Sequence, residues 1–167
     1  MIFIGIDPGL DGAIVVLDKA GIFVQCYDIP TIPNGRKRSL FVGGLVRILR
    51  TIVEDHGPAN IVAGIEKVGS MPGNSGHSMF TFGKLCGILE GVLSGLGVSY
   101  RLVHPKTWGK SMLKDIEGSD TKARSILAAS MLFPNLELTR KKDHNRSDAA
   151  LIAAYVRRTY RGKEDGV

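Results

Sequence analysis

The chain has 167 residues, 44% of them apolar and 23% charged, which is enough for one domain with a substantial core but too short for two. The formal net charge of +6 and the pI near 9.5 favour an acidic partner, most commonly nucleic acid. Two distant cysteines indicate neither a disulfide framework nor a zinc site, and neither a signal peptide nor a membrane span is evident, so we expect one cytoplasmic domain over residues 1–167.

The predicted elements begin with sheet. Three β-rich runs, at residues 2–7, 12–18 and 22–29, are separated by glycine-containing turns, which is typical of a meander of hairpins. The next segment, PTIPNGRKRS, is predicted as a loop. Its Ser39 is then expected to cap a helix that runs to about residue 56.

The second half of the chain alternates strands and helices. Residues 61–68 and the segment VSYRLV are predicted strands, and a glycine-rich loop, GSMPGNSGH, leads to a helix from about 78 to 96. Residues from about 120 to 131 and from about 145 to 158 are predicted to be helical. This order favours an α/β fold with a mixed sheet, in which the later strands are joined by helical crossovers.

The first unusual residue is Asp7, at the end of the apolar run in IGIDPGLDGAIV. An unpaired carboxylate taken out of water costs several kcal/mol or more, so a cation, a hydrogen-bond cage or water is expected beside it. The simpler interpretation is that Asp7 opens a hairpin turn, because Asp, Pro and Gly all suit turn geometry.

Glu66 repeats this pattern at the end of the strand predicted from residue 61. If the two strands are neighbours, Asp7 and Glu66 meet at one edge of the sheet, where a divalent cation would offset their repulsion. Pairing of Glu66 with a lysine is the alternative.

A third carboxylate, Asp148, lies on the last predicted helix. It shares a face with Leu151 and Ile152 and therefore points towards the core. His144 and Asn145 precede it by four and three residues and can approach it on that face. In the alternative interpretation Asn145 is a helix N-cap and Asp148 is the favourable acid of the first turn.

Three segments together resemble a known family. GIDPG with its hairpin, IEKV, and DHNRSDAALIAAY are similar to the RuvC-type Holliday junction resolvases of the ribonuclease H-like superfamily. The segments GSMPGNSGHSMFTFG and VHPKTW resemble phage-encoded and plant organellar members. The resemblance implies a ribonuclease H-like five-stranded sheet, an antiparallel meander followed by parallel strands and flanked by helices. It also implies Mg²⁺-dependent nicking of two symmetric strands of a four-way DNA junction by a homodimer.

The resemblance also implies roles for individual residues. Asp7, Glu66 and Asp148 match the metal-binding acids of the family. The chain departs from the bacterial pattern at Asn145, where those members have an acid, and His144 resembles a histidine that some members place nearby. All-oxygen ligands suit Mg²⁺, or Mn²⁺ in its place, and two such ions can activate water and stabilise the leaving 3′-oxygen. His144 is predicted to orient that water or accept its proton.

Basic side chains are the candidate phosphate contacts, although each alone could be an ordinary solvated charge. They are Arg36, Lys37, Arg38, Lys106, Lys110, Arg140, Lys141 and Lys142. Phe80 is a candidate for stacking on an unpaired base, with a core position as the alternative. Trp108, the only tryptophan, is predicted to be structural.

Glycines recur every fourth residue on the helix predicted from 78 to 96: Gly83, Gly87, Gly91 and Gly95. Each costs about 1 kcal/mol of helix propensity relative to alanine, and close approach of another helix would offset this. The ridge is therefore predicted either to pack within the monomer or to form a dimer seam suited to a two-fold substrate.

Three other functional classes are alternatives to a resolvase. An actin-like or sugar-kinase ATPase begins similarly but needs two domains. A non-catalytic junction-binding protein leaves the three carboxylates unexplained. Another ribonuclease H-like nuclease, acting on flaps or RNA:DNA hybrids, is the strongest alternative to a resolvase.

Overall fold

In a computed structural model of the chain, the first strand lies at the centre of a five-stranded sheet. The structure describes residues 1–67 and 76–160. The strands of the sheet are β1 (Ile2–Asp7), β2 (Ala13–Asp18), β3 (Phe23–Asp28), β6 (Ile61–Glu66) and β7 (Ser99–Val103), in the order β3-β2-β1-β6-β7. β1 pairs antiparallel with β2 and parallel with β6, and β7 is parallel to β6. The predicted mixed sheet is confirmed.

Within the described residues, five α-helices flank this sheet. They are α1 (Val42–His56), α2 (Gly76–Gly95), α3 (Pro105–Met112), α4 (Thr121–Leu132) and α5 (His144–Thr159), and a short 3₁₀ turn spans Pro58–Asn60. None of the helices within the described ranges is both long and apolar enough to cross a lipid bilayer.

The side chains of β1 divide the core into two layers, because successive residues of a strand point to opposite faces. Ile2, Ile4 and Ile6 pack with the buried residues of α1 and α2. Phe3 packs on the other face, with the residues of α3, α4 and α5. Asp7 has the same parity as Phe3 and so belongs to the face that α5 covers.

Helix α5 packs directly on β1 at Gly5. A Cβ atom at Gly5 would overlap with the backbone of Ala149 and Ala153, so only glycine allows this approach. Gly64 plays the same role on β6, where an added Cβ would overlap with the side chain of Val156. The two glycines therefore let the middle and last turns of α5 pack closely against β1 and β6.

The segment predicted as a loop after β3 is instead a hairpin. β4 (Thr31–Asn34) pairs antiparallel with β5 (Lys37–Leu40), and the turn between them contains Gly35 at φ +60°. The Asn-Gly pair at this turn is a hairpin signal, and the polar strands on either side obscured it. Ser39 lies within β5, so its predicted role as a helix cap is wrong, and the residue at the cap of α1 is Phe41.

Helix α3 was not predicted from the sequence. Pro105 occupies its first turn, and the side chain of His104 caps it by accepting a hydrogen bond from the amide of Lys106 at 3.2 Å. Most of the predicted glycine-rich loop falls at residues 68–75, outside the described part of the chain. The assignment of 1–167 to one domain stays a prediction.

Candidate active site

Three carboxylates lie near one end of the central strands. Ile6 of β1 and Ile65 of β6 are register partners, so Asp7 and Glu66 both follow at the carboxyl edge of the sheet. Asp148 comes from α5, whose next residue, Ala149, lies against Gly5. The predicted adjacency of the two strands is confirmed, and the contact of α5 with Gly5 adds the third acid.

The electrostatics of the three groups are those of one crowded site. Asp7 is 9% exposed, and burial, followed by repulsion from Glu66 and Asp148, raises its pKa well above the ordinary value. Burial is also the main cause that raises the pKa of Glu66, with Asp148 adding to it. Burial raises the pKa of Asp148 to about 6, against the opposing effects of Ser125 and Lys122. Mutual repulsion and desolvation therefore favour a bound cation.

Two of the carboxylates are held by neutral donors. The indole Nε1–H of Trp108 donates to Oε1 of Glu66 at 2.9 Å, and the hydroxyl of Ser125 donates to Oδ1 of Asp148. Within residues 1–67 and 76–160, the carboxylate of Asp7 accepts no hydrogen bond. No pattern in the sequence singles out Ser125, and Trp108 is predicted from the sequence only as a structural residue.

The donor set fits a hard divalent cation, because it consists of carboxylate oxygens alone. In the described residues no three His, Cys, Asp or Glu side chains already have their ligand atoms gathered around a common point. The hydrogen bonds from Trp108 and Ser125 each engage one oxygen of Glu66 or Asp148. Each of these two residues retains a second carboxylate oxygen that can serve as a ligand.

His144 is the first residue of α5, one turn before Asp148. Its Nδ1 lies 3.4 Å from the carbonyl oxygen of Lys141. When Nδ1 carries the proton and donates to that carbonyl, Nε2 keeps its lone pair and is able to accept a proton.

Asn145 does not cap α5 as the alternative interpretation expected. The residue at the N-cap position is Asp143, and the side-chain Nδ2 of Asn145 donates to the backbone oxygen of Asp11 at 2.8 Å. Asn145 therefore joins the start of α5 to the β1–β2 loop that follows Asp7.

A partly exposed ion-pair cluster around the buried Asp143 supports the start of α5. Asp143 is fully buried and accepts hydrogen bonds from Arg140, while Asp28 at the end of β3 pairs with both Arg140 and Arg146. Hydrogen bonds from Arg140 are the first cause that lowers the pKa of Asp28. No local pattern predicts this cluster, because Asp28 is 112 positions from Arg140 and 118 from Arg146.

The candidate DNA-binding residues lie in several environments. Arg38 pairs with Asp11 at 3.0 Å, and Arg140 is held by Asp28 and Asp143, so both cations already have carboxylate partners. The other six basic candidates are exposed or partly exposed: Arg36, Lys37, Lys106, Lys110, Lys141 and Lys142. Of these, Lys142 lies 3.9 Å from Asp11 and 3.8 Å from Asp28. Phe80 is 71% exposed rather than a core residue. It lines a cavity of about 490 Å³ between the β4–β5 hairpin and α2, together with Lys37 and Lys84.

The four glycines of α2 lie on an open face of the helix. Leu85, Leu89 and Leu93 are buried against the sheet, whereas a Cβ atom added at any of the four glycines would meet no atom within 4 Å among the described residues. Packing of this ridge inside the monomer therefore does not occur in the described part of the chain.

Comparison with known proteins gives structural matches only. No family model matches the sequence, and no curated protein matches it. A structure of Thermus thermophilus RuvC in complex with Holliday junction substrate matches with a TM-score of 0.67 and 17% identity, over 95% of both chains. A second Thermus thermophilus RuvC structure matches with a TM-score of 0.59 and 17% identity, over 95% of this chain and 96% of that one. The chain therefore has the RuvC fold, which confirms the ribonuclease H-like architecture that the motifs implied.

Proposed function

We propose that the chain is a Holliday junction resolvase, an endonuclease that makes paired symmetric nicks in four-way DNA junctions. The observation that carries this proposal is the grouping of Asp7, Glu66 and Asp148, with raised pKa values, at one edge of a sheet with the RuvC fold. The RuvC structure that matches over 95% of this chain is a complex with a Holliday junction substrate, which supports the same substrate class for this chain.

The three acids would hold Mg²⁺, with Mn²⁺ as a substitute. A divalent metal bound there supplies charge for the phosphate and lowers the pKa of the attacking water. Trp108 keeps one oxygen of Glu66 in place and Ser125 keeps one oxygen of Asp148, so the remaining oxygens face the site in fixed directions. His144, with Nε2 unprotonated, orients the water and takes its proton.

The DNA surface extends outward from this edge. Lys37 and Lys84 line the cavity beside exposed Phe80, so an unpaired base can stack on the ring while the cations contact its phosphates. Lys106 and Lys110 on α3, and Lys141 and Lys142 before α5, would contact the backbone on the other flanks.

The enzyme would act as a homodimer through the open glycine face of α2. Close helix packing needs small residues, and two symmetric active sites match the two-fold symmetry of a four-way junction. Both cysteines are free, which is compatible with the reducing cytoplasm of a bacterial or phage-infected cell, or with an organelle.

A nuclease assay with four substrates tests the proposal. Purified protein is incubated in Mg²⁺ with an end-labelled four-way junction, a duplex, a flap and an RNA:DNA hybrid. We expect paired nicks at symmetric positions of the junction and little cutting of the duplex. Preferential cutting of flaps or hybrids would favour the alternative ribonuclease H-like nuclease. Junction binding without any cutting would favour a non-catalytic binding protein.

A further inference from the structure

A polar cavity that the site described above does not use lies at the edge strand β7. Its volume is about 300 Å³, and its polar lining consists of Lys67, Arg101, His104, Thr107 and Tyr155. No carboxylate is present among the described residues that line it. A small cavity lined by cations without an acid suits an anion.

The cavity is adjacent to the carboxylate edge of the sheet. Glu66 and Val103 are register partners on β6 and β7, and the next residues, Lys67 and His104, both line the cavity. The amide of Lys67 donates to the carbonyl oxygen of Val103 at 2.7 Å, which fixes the backbone of Lys67 beside β7. An anion in this cavity would therefore lie one step along the sheet edge from Glu66.

Hydrogen bonds to the end of α5 hold the guanidinium of Arg101 in one position. Its Nη2 donates to the backbone oxygen of Val156 and to Oγ1 of Thr159, and its Cζ lies 6.0 Å from the centre of the Tyr155 ring. Its Nε is buried and has no hydrogen-bond partner within the described ranges. A fixed cation with unused donors is the arrangement that a bound anion would stabilise.

The charges of Lys67 and Arg101 also lack carboxylate partners among the described residues. Arg38, Arg140 and Arg146 each pair with an aspartate, whereas neither Lys67 nor Arg101 forms an ion pair within residues 1–67 and 76–160. The Nδ1 of His104 accepts the amide proton of Lys106 and leaves Nε2 as the ring's hydrogen-bond donor. The lining thus provides two charges, and the ring of His104 and the hydroxyls of Thr107 and Tyr155 as further donors.

We propose that this cavity binds a phosphate group of the DNA backbone close to the phosphate that is cut. The inference rests on the proposed function, because its ligand is the substrate of that function. Free inorganic phosphate has the same chemistry, so the test must separate the two sources.

The test compares two cavity variants with a matched control. Lys67→Gln removes one charge, and His104→Asn keeps a side-chain oxygen able to cap α3 but removes the ring donor. Lys19→Gln is the control, because it also removes one positive charge but lies far from the site. Lys19 follows Asp18, which pairs with Ile2 at the opposite end of β1 from Asp7. Binding of a labelled four-way junction is measured in Ca²⁺ by fluorescence anisotropy over a range of salt concentrations.

We expect Lys67→Gln to weaken junction binding by roughly 3- to 10-fold and to reduce the slope of log Kd against log salt by about 0.9, the value for one lost phosphate contact. His104→Asn should weaken binding with little change of slope, because the ring is a donor in its neutral form. Lys19→Gln should change neither the junction affinity nor the slope. A neutral methylphosphonate placed at the contacted phosphate should abolish the difference between wild type and Lys67→Gln.

The proposal would be overturned if Lys67→Gln left the slope of log Kd against log salt unchanged. It would also be overturned if no methylphosphonate near the cut removed the difference in junction affinity between wild type and Lys67→Gln. In both cases the wild type would still cut junctions, so the proposed function would stand. Inorganic phosphate is titrated in parallel against the ring signals of His104 by NMR. Phosphate binding there combined with an unchanged slope would assign the cavity to a free anion and also overturn the proposal. Failure of the wild type to bind junctions at all would instead contradict the proposed function.

Discussion

The indole nitrogen of Trp108 lies 2.9 Å from Oε1 of Glu66, so α3 directly supports the carboxylate at the end of β6. Trp108 is itself buried, at 4% exposure, and packs in the core layer that contains α4 and α5. The only tryptophan of the chain therefore connects the core to the candidate active site.

We predict that Trp108→Phe lowers the nicking rate about 10-fold or more while junction affinity stays close to that of the wild type, since the variant loses the bond that orients Glu66. That bond favours the charged form of Glu66, so its loss should raise the pKa of Glu66 and move the acid limb of the pH–rate profile to higher pH. Single-turnover rates between pH 5 and 9 check this. A lower nicking rate with no shift of the acid limb of the pH–rate profile would show that Trp108 acts only through packing.

Each of the three acids should be essential for cutting but not for binding. Asp7→Asn, Glu66→Gln and Asp148→Asn remove metal-ligand charge and leave the basic surface unchanged, so we expect nicking to be abolished and junction affinity to be retained. Ca²⁺ should support binding without cleavage, because its looser coordination positions water poorly. A variant that still cuts within about tenfold of the wild-type rate would show that its residue is not a metal ligand.

The metal-free protein should be destabilised by ionisation of Asp148. Its folded-state pKa of about 6 lies above the ordinary value, so the stabilisation from the protonated form is present below about pH 4 and is lost as the pH rises through 6. Above pH 6, ionised Asp148 lowers the free energy of unfolding of the metal-free protein by up to about 3 kcal/mol. Asp148→Asn should therefore raise the Tm of the metal-free protein at pH 7.5 and change it far less at pH 4.

Thermal unfolding by circular dichroism measures this effect, with Asp115→Asn as the matched control. Asp115 is exposed at φ 61°, a conformation that asparagine tolerates, so this change should leave the Tm nearly constant at both pH values. Added Mg²⁺ should stabilise the wild type at pH 7.5 more than Asp148→Asn. An equal Tm change from Asp148→Asn at both pH values would contradict the prediction.

His144 and Asn145 should have different roles. We expect His144→Ala to lower the cleavage rate by about 10² or more and to flatten the pH–rate profile between about pH 6 and 8, as loss of general acid–base assistance does. Asn145→Ala removes the hydrogen bond to Asp11 and should cost about 1 kcal/mol of stability with a milder effect on rate. The reverse result, with Asn145 critical and His144 dispensable, would assign the fourth position to the asparagine.

The open glycine face should be required for dimerisation. Gly87→Leu or Gly91→Leu places a large side chain where the monomer has no atom within 4 Å, so the fold should be retained while helix–helix approach is blocked. Sedimentation should then show folded monomers that no longer make coordinated double nicks. Variants that unfold would show that the glycine face packs within the chain, and variants that remain dimeric would place the seam on another surface.

The sequence by itself determined the central sheet and the identity of the three acids. Continuous apolar runs mark strands that are buried on both faces, and a carboxylate at the end of such a run, as at Asp7 and Glu66, is costly enough to indicate a special environment. Both signals are local in the chain, which is why β1, β6 and α5 were predicted close to their observed bounds.

Tertiary structure alone decided which groups support and surround those acids. Trp108 reaches Glu66 across 42 positions, Ser125 reaches Asp148 across 23, and Asp28 meets Arg146 across 118. No local pattern specifies such contacts, because each joins two elements that are distant in the chain and meet only in the packed fold. The orphan donor of Arg101 likewise became evident only when β7 and the end of α5 were brought together, since satisfaction of a buried polar group is a property of the packed fold.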